Sequence, residues 1–104
     1  MGMQWRIESG GDAVPGGYNG YFIAYASDGT LAGYLDYQSA TGDDEVLIAM
    51  VEVQPAHRRK GLATLLLARL RGEFPHRTVN PGYQTAAGAA WWQAVSRRRQ
   101  PRTT

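Results

Sequence analysis

The sequence predicts an α+β domain: a mixed, mostly antiparallel central sheet with helices flanking it. Three observations carry that expectation. Residues 21–54 hold three β-rich apolar runs separated by the turn sequences Ser27-Asp28-Gly29-Thr30 and Thr41-Gly42-Asp43-Asp44. Beyond Pro55 the apolar period lengthens to Leu62, Leu66 and Leu70, the spacing of one helix face. A chain of 104 residues that is 43% hydrophobic and 19% charged suits one domain with its own core, and excludes wholesale disorder.

Residues 4–7 are expected to form a short first strand. Residues 10–20 contain Gly10-Gly11, Pro15-Gly16-Gly17 and Asn19-Gly20 and are expected to be loop. Residues 21–26 and 31–37 make a hairpin about Asp28-Gly29, a dipeptide that tolerates positive φ. Residues 45–54, rich in Val, Ile and Met, form the longest strand and belong at the centre of the sheet because they are the most apolar. Pro55 stops that strand. The helix covers residues 59–71, with Ala63, Leu65 and Leu67 beside the leucine stripe, and Gly72 ends it. Residues 76–79 return as a short strand, Asn80-Pro81-Gly82 turns, and residues 84–95 form a second helix opened near Thr85 or Tyr83. Gly88 inside that helix costs about 1 kcal/mol against alanine, which marks a close approach. The domain thus spans residues 1–96. Residues 97–104, with Arg97-Arg98-Arg99 and Arg102, read as a solvated basic tail.

Composition removes several function classes. The longest apolar run is six residues, Val46 to Val51, whereas a membrane helix needs about 20. The first residues, Met-Gly-Met-Gln-Trp-Arg, carry no apolar leader, so the cytoplasm is the expected location. There is no cysteine, which excludes disulfides, thiolate nucleophiles and Cys-based metal sites. Two histidines, His57 and His76, lack supporting carboxylates, and no metal is expected. Charge is distributed unevenly. Residues 1–52 hold eight acids and one base, and residues 53–104 hold one acid and ten bases. A basic half of this kind suits an anionic ligand.

The chemistry concentrates in Val51-Glu52-Val53-Gln54-Pro55-Ala56-His57-Arg58-Arg59-Lys60-Gly61-Leu62-Ala63. This is a strand, a proline stop, a basic turn and a helix opening at glycine. A helix N-terminus leaves N–H groups without intrahelical partners and carries partial positive charge. Arg58, Arg59 and Lys60 oppose that dipole, and no Ser, Thr, Asp or Asn stands close enough to cap it. An anion in the turn reverses the penalty, as in a phosphate cradle. Gly61 lets backbone approach the ligand without a Cβ. The P-loop pattern and the three-glycine dinucleotide pattern are both absent.

Arg58-x-x-Gly61-x-Ala63 resembles the Gln/Arg-x-x-Gly-x-Gly/Ala signature of the GNAT superfamily of N-acetyltransferases. Val53-Gln54-Pro55 resembles the strand ending before it, and the run from Leu62 to Leu70 the helix after it. The resemblance is strongest over residues 45–71 and extends more weakly over 21–95. It implies a GNAT-like fold lacking some of the usual terminal elements: the helical region between the first two strands is reduced to a glycine-rich loop, and no closing strands follow the last helix. It implies acetyl-CoA as cosubstrate, with its pyrophosphate on the backbone of Arg58, Arg59, Lys60, Gly61, Leu62 and Ala63. The pantetheine arm would run beside Val51 and Val53, and Asn80 would supply a polar contact. The general-acid tyrosine that often follows the last helix has no counterpart; Trp91 and Trp92 occupy that helix.

The resemblance further implies direct attack by a primary amine on the thioester, which needs a proton acceptor rather than a protein nucleophile. Glu52 is the first candidate base. It is the only carboxylate between Val46 and Gly72, and strict alternation puts it on one face with Ile48, Met50 and Gln54. Glu45 is the second candidate, and Tyr83 is a candidate proton donor to the leaving thiolate. Tyr34 and Tyr37 fall on opposite faces, so one of them lines the acceptor pocket. His57 is either a contact to phosphate or adenine or a loop residue without a role. The acceptor is a small-molecule or protein amine. Two other readings stand behind this one: a catalytically degenerate coenzyme A-binding or protein-interaction module, and a small basic nucleic-acid binder. The dozen residues between the two helices, with Pro75 and Pro81, are too long for a helix-turn-helix. An open sheet edge is an opportunity for a homodimer.

Overall fold

The structure is a computed structural model, and it describes residues 5–82. Its strands are β1 (Arg6–Val14), β2 (Gly17–Tyr25), β3 (Leu31–Ala40), β4 (Glu45–Val53) and β5 (Thr78–Asn80). A 3₁₀ turn at Pro55–His57 and one helix, α1 (Leu62–Glu73), connect β4 to β5. The strands form one sheet in the order β1-β2-β3-β4-β5. β1 to β4 pair antiparallel with one another in succession, and β5 runs parallel to β4. This is the expected α+β architecture with a mostly antiparallel sheet. The second helix expected at residues 84–95 and the tail at 97–104 lie outside the described residues.

The expected glycine-rich loop is instead a hairpin. β1 and β2 pair from Arg6↔Tyr25 to Val14↔Gly17, with Pro15 and Gly16 at the tip. Gly16 takes φ 79° there, but other glycines serve packing rather than turning. A Cβ at Gly20 would lie 2.2 Å from Cζ of Tyr37, so the ring can lie on the sheet only because the side chain is missing. Composition alone cannot separate that use of glycine from a loop.

α1 buries the expected stripe. Leu62, Leu66 and Leu70, joined by Leu67, lie at 1% exposure or less against Phe22, Ala24, Leu35, Tyr37, Val46, Ile48 and Val79. Each such leucine stabilises the fold by about 1.5–3 kcal/mol relative to exposure. No polar or charged residue is buried among those described. The helix begins at Leu62 rather than Arg59 because Gly61 is in the left-handed region, φ 86° and ψ 8°. It runs through Gly72 and closes where the Phe74 N–H donates to the Leu70 carbonyl at 3.1 Å. Asn80 is the last residue of β5 and also opens the expected turn, since its Oδ1 accepts the Gly82 N–H. β4 lies between β3 and β5 and is interior, as expected, but only Glu45, Val46 and Leu47 pair with β5. No helix among the described residues is long and apolar enough to cross a membrane.

Candidate functional site

The site begins with a defect in β4. Asp36 pairs with Met50 but Tyr37 pairs with Ile48, so Ala49 has no opposite residue. One extra residue reverses the alternation. Below this bulge Val46 and Ile48 face α1; above it Val51 and Val53 do so, packed against the core. Met50 (49% exposed) and the exposed Glu52 therefore point to the opposite face. The expectation that Glu52 shares a face with Ile48 is corrected by this bulge.

The same strand has an open edge. The Gln54 N–H donates to the Ala32 carbonyl at 2.8 Å, toward β3. Backbone groups alternate sides along a strand, so those of Val51 and Val53 face away from β3. β5 stops pairing at Leu47↔Asn80. Among the described residues, nothing pairs with that side of β4 above Leu47, except that the Val53 carbonyl accepts Nε of Arg58 at 2.9 Å.

The open edge leads to the basic turn. Arg58 N–H donates back to Pro55 at 3.3 Å. Arg59 (φ 62°) is the only non-glycine residue among those described with positive φ, and Gly61 follows in the same region. Left-handed conformation at a side chain of this size is uncommon and costs about 1–2 kcal/mol. The helix that starts at Leu62 has no side-chain cap and no acid in its first turn. Its first ladder bond is Leu65 N–H to Gly61 at 3.0 Å, which leaves the N–H groups of Leu62, Ala63 and Thr64 without helical acceptors. Among the described residues, a Cβ added at Gly61 meets nothing within 4 Å. Strained backbone, uncapped donors, exposed cations and open space together fit a diphosphate.

Trp5 braces this turn from the far end of the chain. Its indole Nε1 donates to Nδ1 of His57 at 3.2 Å, with the rings edge to face at 6.3 Å between centroids. The bond requires a neutral imidazole with its proton on Nε2. Sequence spacing gave no sign of it, because the partners stand 52 positions apart.

At the lower end of the cleft that opens where β5 stops pairing with β4, Nδ2 of Asn80 donates to Oε1 of Glu45 at 3.3 Å. Oδ1 of Asn80 accepts the Gly82 N–H at 2.9 Å and turns the chain toward β4. Glu45 and Asn80 share a cavity of about 370 Å³ with Asp43, Gln38 and Leu47. Glu45 and Asn80, apart in sequence, are thus brought together, whereas Glu52 lies further along β4 on the exposed face. Tyr83 lies outside the described residues.

Tyr34 and Tyr37 do fall on opposite faces. Tyr37 is buried under α1. Tyr34 shares the outer face with Glu52 and donates to Sδ of Met50 at 3.3 Å. Burial, then the carboxylates of Glu52 and Asp36, push the Tyr34 phenol up. Burial likewise pushes Asp36 above its ordinary 3.8. A raised carboxyl pKa means that folding favours the protonated form. The stability this group contributes is complete below the unfolded pKa and is lost as pH rises through the folded one. Asp36→Asn should therefore raise the melting temperature slightly at pH 7 and leave it unchanged at pH 3. Thermal denaturation at the two pH values checks this.

The sequence model of one family, described as the acetyltransferase (GNAT) family, matches residues 5–87. No curated protein matches in sequence. Solved structures do match in fold. A protein of Deinococcus radiodurans R1, assigned as an acetyltransferase, is 20% identical at TM-score 0.64, covering 82% of this chain and 59% of its own. AAC(6')-Iy, solved with the bisubstrate analogue CoA-S-monomethyl-acetylneamine, is 22% identical at TM-score 0.60, covering 83% and 66%. A tandem GNAT protein from the clavulanic acid biosynthesis pathway is 18% identical at TM-score 0.66, covering 88% and 41%. The chain therefore spans less than two thirds of the length of each of these three.

Proposed function

The chain belongs to the acetyltransferase (GNAT) family, and from that premise we propose that it transfers the acetyl group of acetyl-CoA to a primary amine. The observation that carries the reading is the continuity of the open β4 edge with the uncapped start of α1. Backbone N–H groups from Arg59 to Ala63 hold the pyrophosphate, with Arg58, Arg59 and Lys60 adding positive charge. Arg58 also fixes the end of β4 through Val53. Among the described residues no partner takes the backbone groups of Val51 or the Val53 N–H, and these pair with the amides of the pantetheine arm. Asn80, tied to Glu45, frames the closed end of the cleft.

The amine nitrogen forms a bond to the acetyl carbon while the carbon–sulfur bond breaks. The nitrogen's proton passes through water to Glu52, the carboxylate on β4 beside the open edge. Glu45, with Asp43, presents negative charge to the incoming ammonium, and Tyr83 protonates the leaving thiolate. The aminoglycoside-derived analogue bound to AAC(6')-Iy supports an amine acceptor, either small or on a protein.

The test is release of free thiol from acetyl-CoA across a panel of amines, alongside calorimetric binding of coenzyme A. Thiol release above background with any amine is the expected result. Binding without turnover would leave a coenzyme A-binding module, and absence of binding would remove the reading altogether.

A further inference from the structure

The second cavity lies at the other end of α1, on the helix-covered face of the sheet. It measures about 330 Å³ and is walled by Tyr18, Phe22, Tyr37 and Phe74. Phe22 and Tyr37 stack at 5.7 Å, Tyr18 and Tyr37 lie 6.4 Å apart at 34°, and Phe74 meets Tyr37 edge-on at 5.3 Å. Glycines let these rings lie along the sheet: a Cβ at Gly20 would be 2.2 Å from the Tyr37 ring, and one at Gly11 2.9 Å from the Tyr18 ring. Phe22 and Tyr37, 4% and 5% exposed, form the floor of the cavity, and Tyr18, 36% exposed, offers ring surface to the space above them.

Glu73 is the only charged residue among the described lining groups. Its carboxylate adds to the effect of burial in pushing the Tyr37 phenol up, and Tyr18 adds a smaller effect. Phe74 already takes a cation on its ring: the Arg77 guanidinium lies 5.2 Å from its centroid, and Arg77 is not part of the lining. Negative π faces and one carboxylate repel anions. Too few oxygen ligands converge to hold a metal ion. A large, weakly hydrated cation with an apolar C–H surface satisfies both the rings and the carboxylate.

We propose that this aromatic cavity binds an alkylated ammonium group, with Tyr18 and Phe74 as ring walls over a floor of Phe22 and Tyr37, and with Glu73 supplying the counter-charge. α1 has 12 residues, so the cavity stands roughly 18 Å from the basic turn and does not depend on the acetyl-transfer reading. The same headgroup occurs on free choline-like molecules and on methylated lysine side chains.

Calorimetry on the full chain tests the proposal with choline, its neutral isostere 3,3-dimethylbutan-1-ol, and a short peptide bearing trimethyl-lysine. Choline or the peptide should bind, with the neutral isostere weaker by roughly fivefold or more. The tighter of the two cations identifies the source. Tyr18→Leu and Glu73→Gln should each lower affinity by roughly five- to tenfold, while Tyr18→Phe, which keeps the ring, should not. Both positions are exposed, so the variants should melt like the parent protein. Equal affinity for the isostere, full affinity in Tyr18→Leu, or no binding of either cation would overturn the proposal.

Discussion

Gly61→Val should weaken coenzyme A binding by about 10²-fold or more while leaving the fold intact. Two costs add. Valine at φ 86° and ψ 8° is strained by about 1–2 kcal/mol. Its side chain also projects into the space that a Cβ at Gly61 finds empty, which is where the pyrophosphate is proposed to sit. If the turn relaxes instead, the N–H groups of Leu62 and Ala63 lose their common aim, and binding falls by that route. Gly61→Ala carries the same backbone strain with less bulk and separates the two effects. Neutralising Lys60 or Arg59 should cost less, under about tenfold each, and should flatten the salt dependence, because exposed charges act through screened solvent. Calorimetric titration with coenzyme A at two salt concentrations measures all of this. Parental affinity in Gly61→Val would remove the turn from the site.

Glu52→Gln should lower turnover by roughly 10²-fold or more with coenzyme A affinity nearly unchanged. A primary amine with an ordinary pKa near 10.4 is mostly protonated at neutral pH and must lose a proton to attack. Glu52 is exposed on the face opposite α1, so glutamine keeps the shape without disturbing the core. The acidic limb of the pH–rate profile should flatten in the variant. Glu45→Gln is the counter-experiment. If Glu45 only attracts the ammonium, KM rises while kcat stays within a few fold. If turnover collapses there and not in Glu52→Gln, the proton goes to Glu45.

The helix face, the hairpin at Asp28-Gly29 and the long strand were legible in the sequence because each rests on local periodicity and turn chemistry. The basic turn was legible for the same reason, since Arg58 to Ala63 are consecutive. Three features were not. The glycines of β1 and β2 look like loop residues until Tyr37 is placed over Gly20. The bulge at Ala49 depends on how β3 and β4 are paired, and without it alternation assigned Glu52 to the wrong face. The Trp5–His57 bond and the Asn80–Glu45 bond join distant segments, and residue spacing carries no information about such contacts.

Sheet order that follows chain order also has a kinetic side. β1 to β4 close through short connections, so each hairpin loses little loop entropy when it forms. The pairing of β4 with β5 is different. Glu45 and Thr78 meet only after 33 intervening steps of chain, including all of α1. The meander should therefore assemble early and the cleft last. β5, with three residues in the ladder, should also open first. Amide hydrogen exchange should show β2 and β3 protected to nearly the global unfolding free energy, and Val79 exchanging from a smaller opening. The proposed cosubstrate site would then be bounded on one side by the fold's most stable unit and on the other by its least.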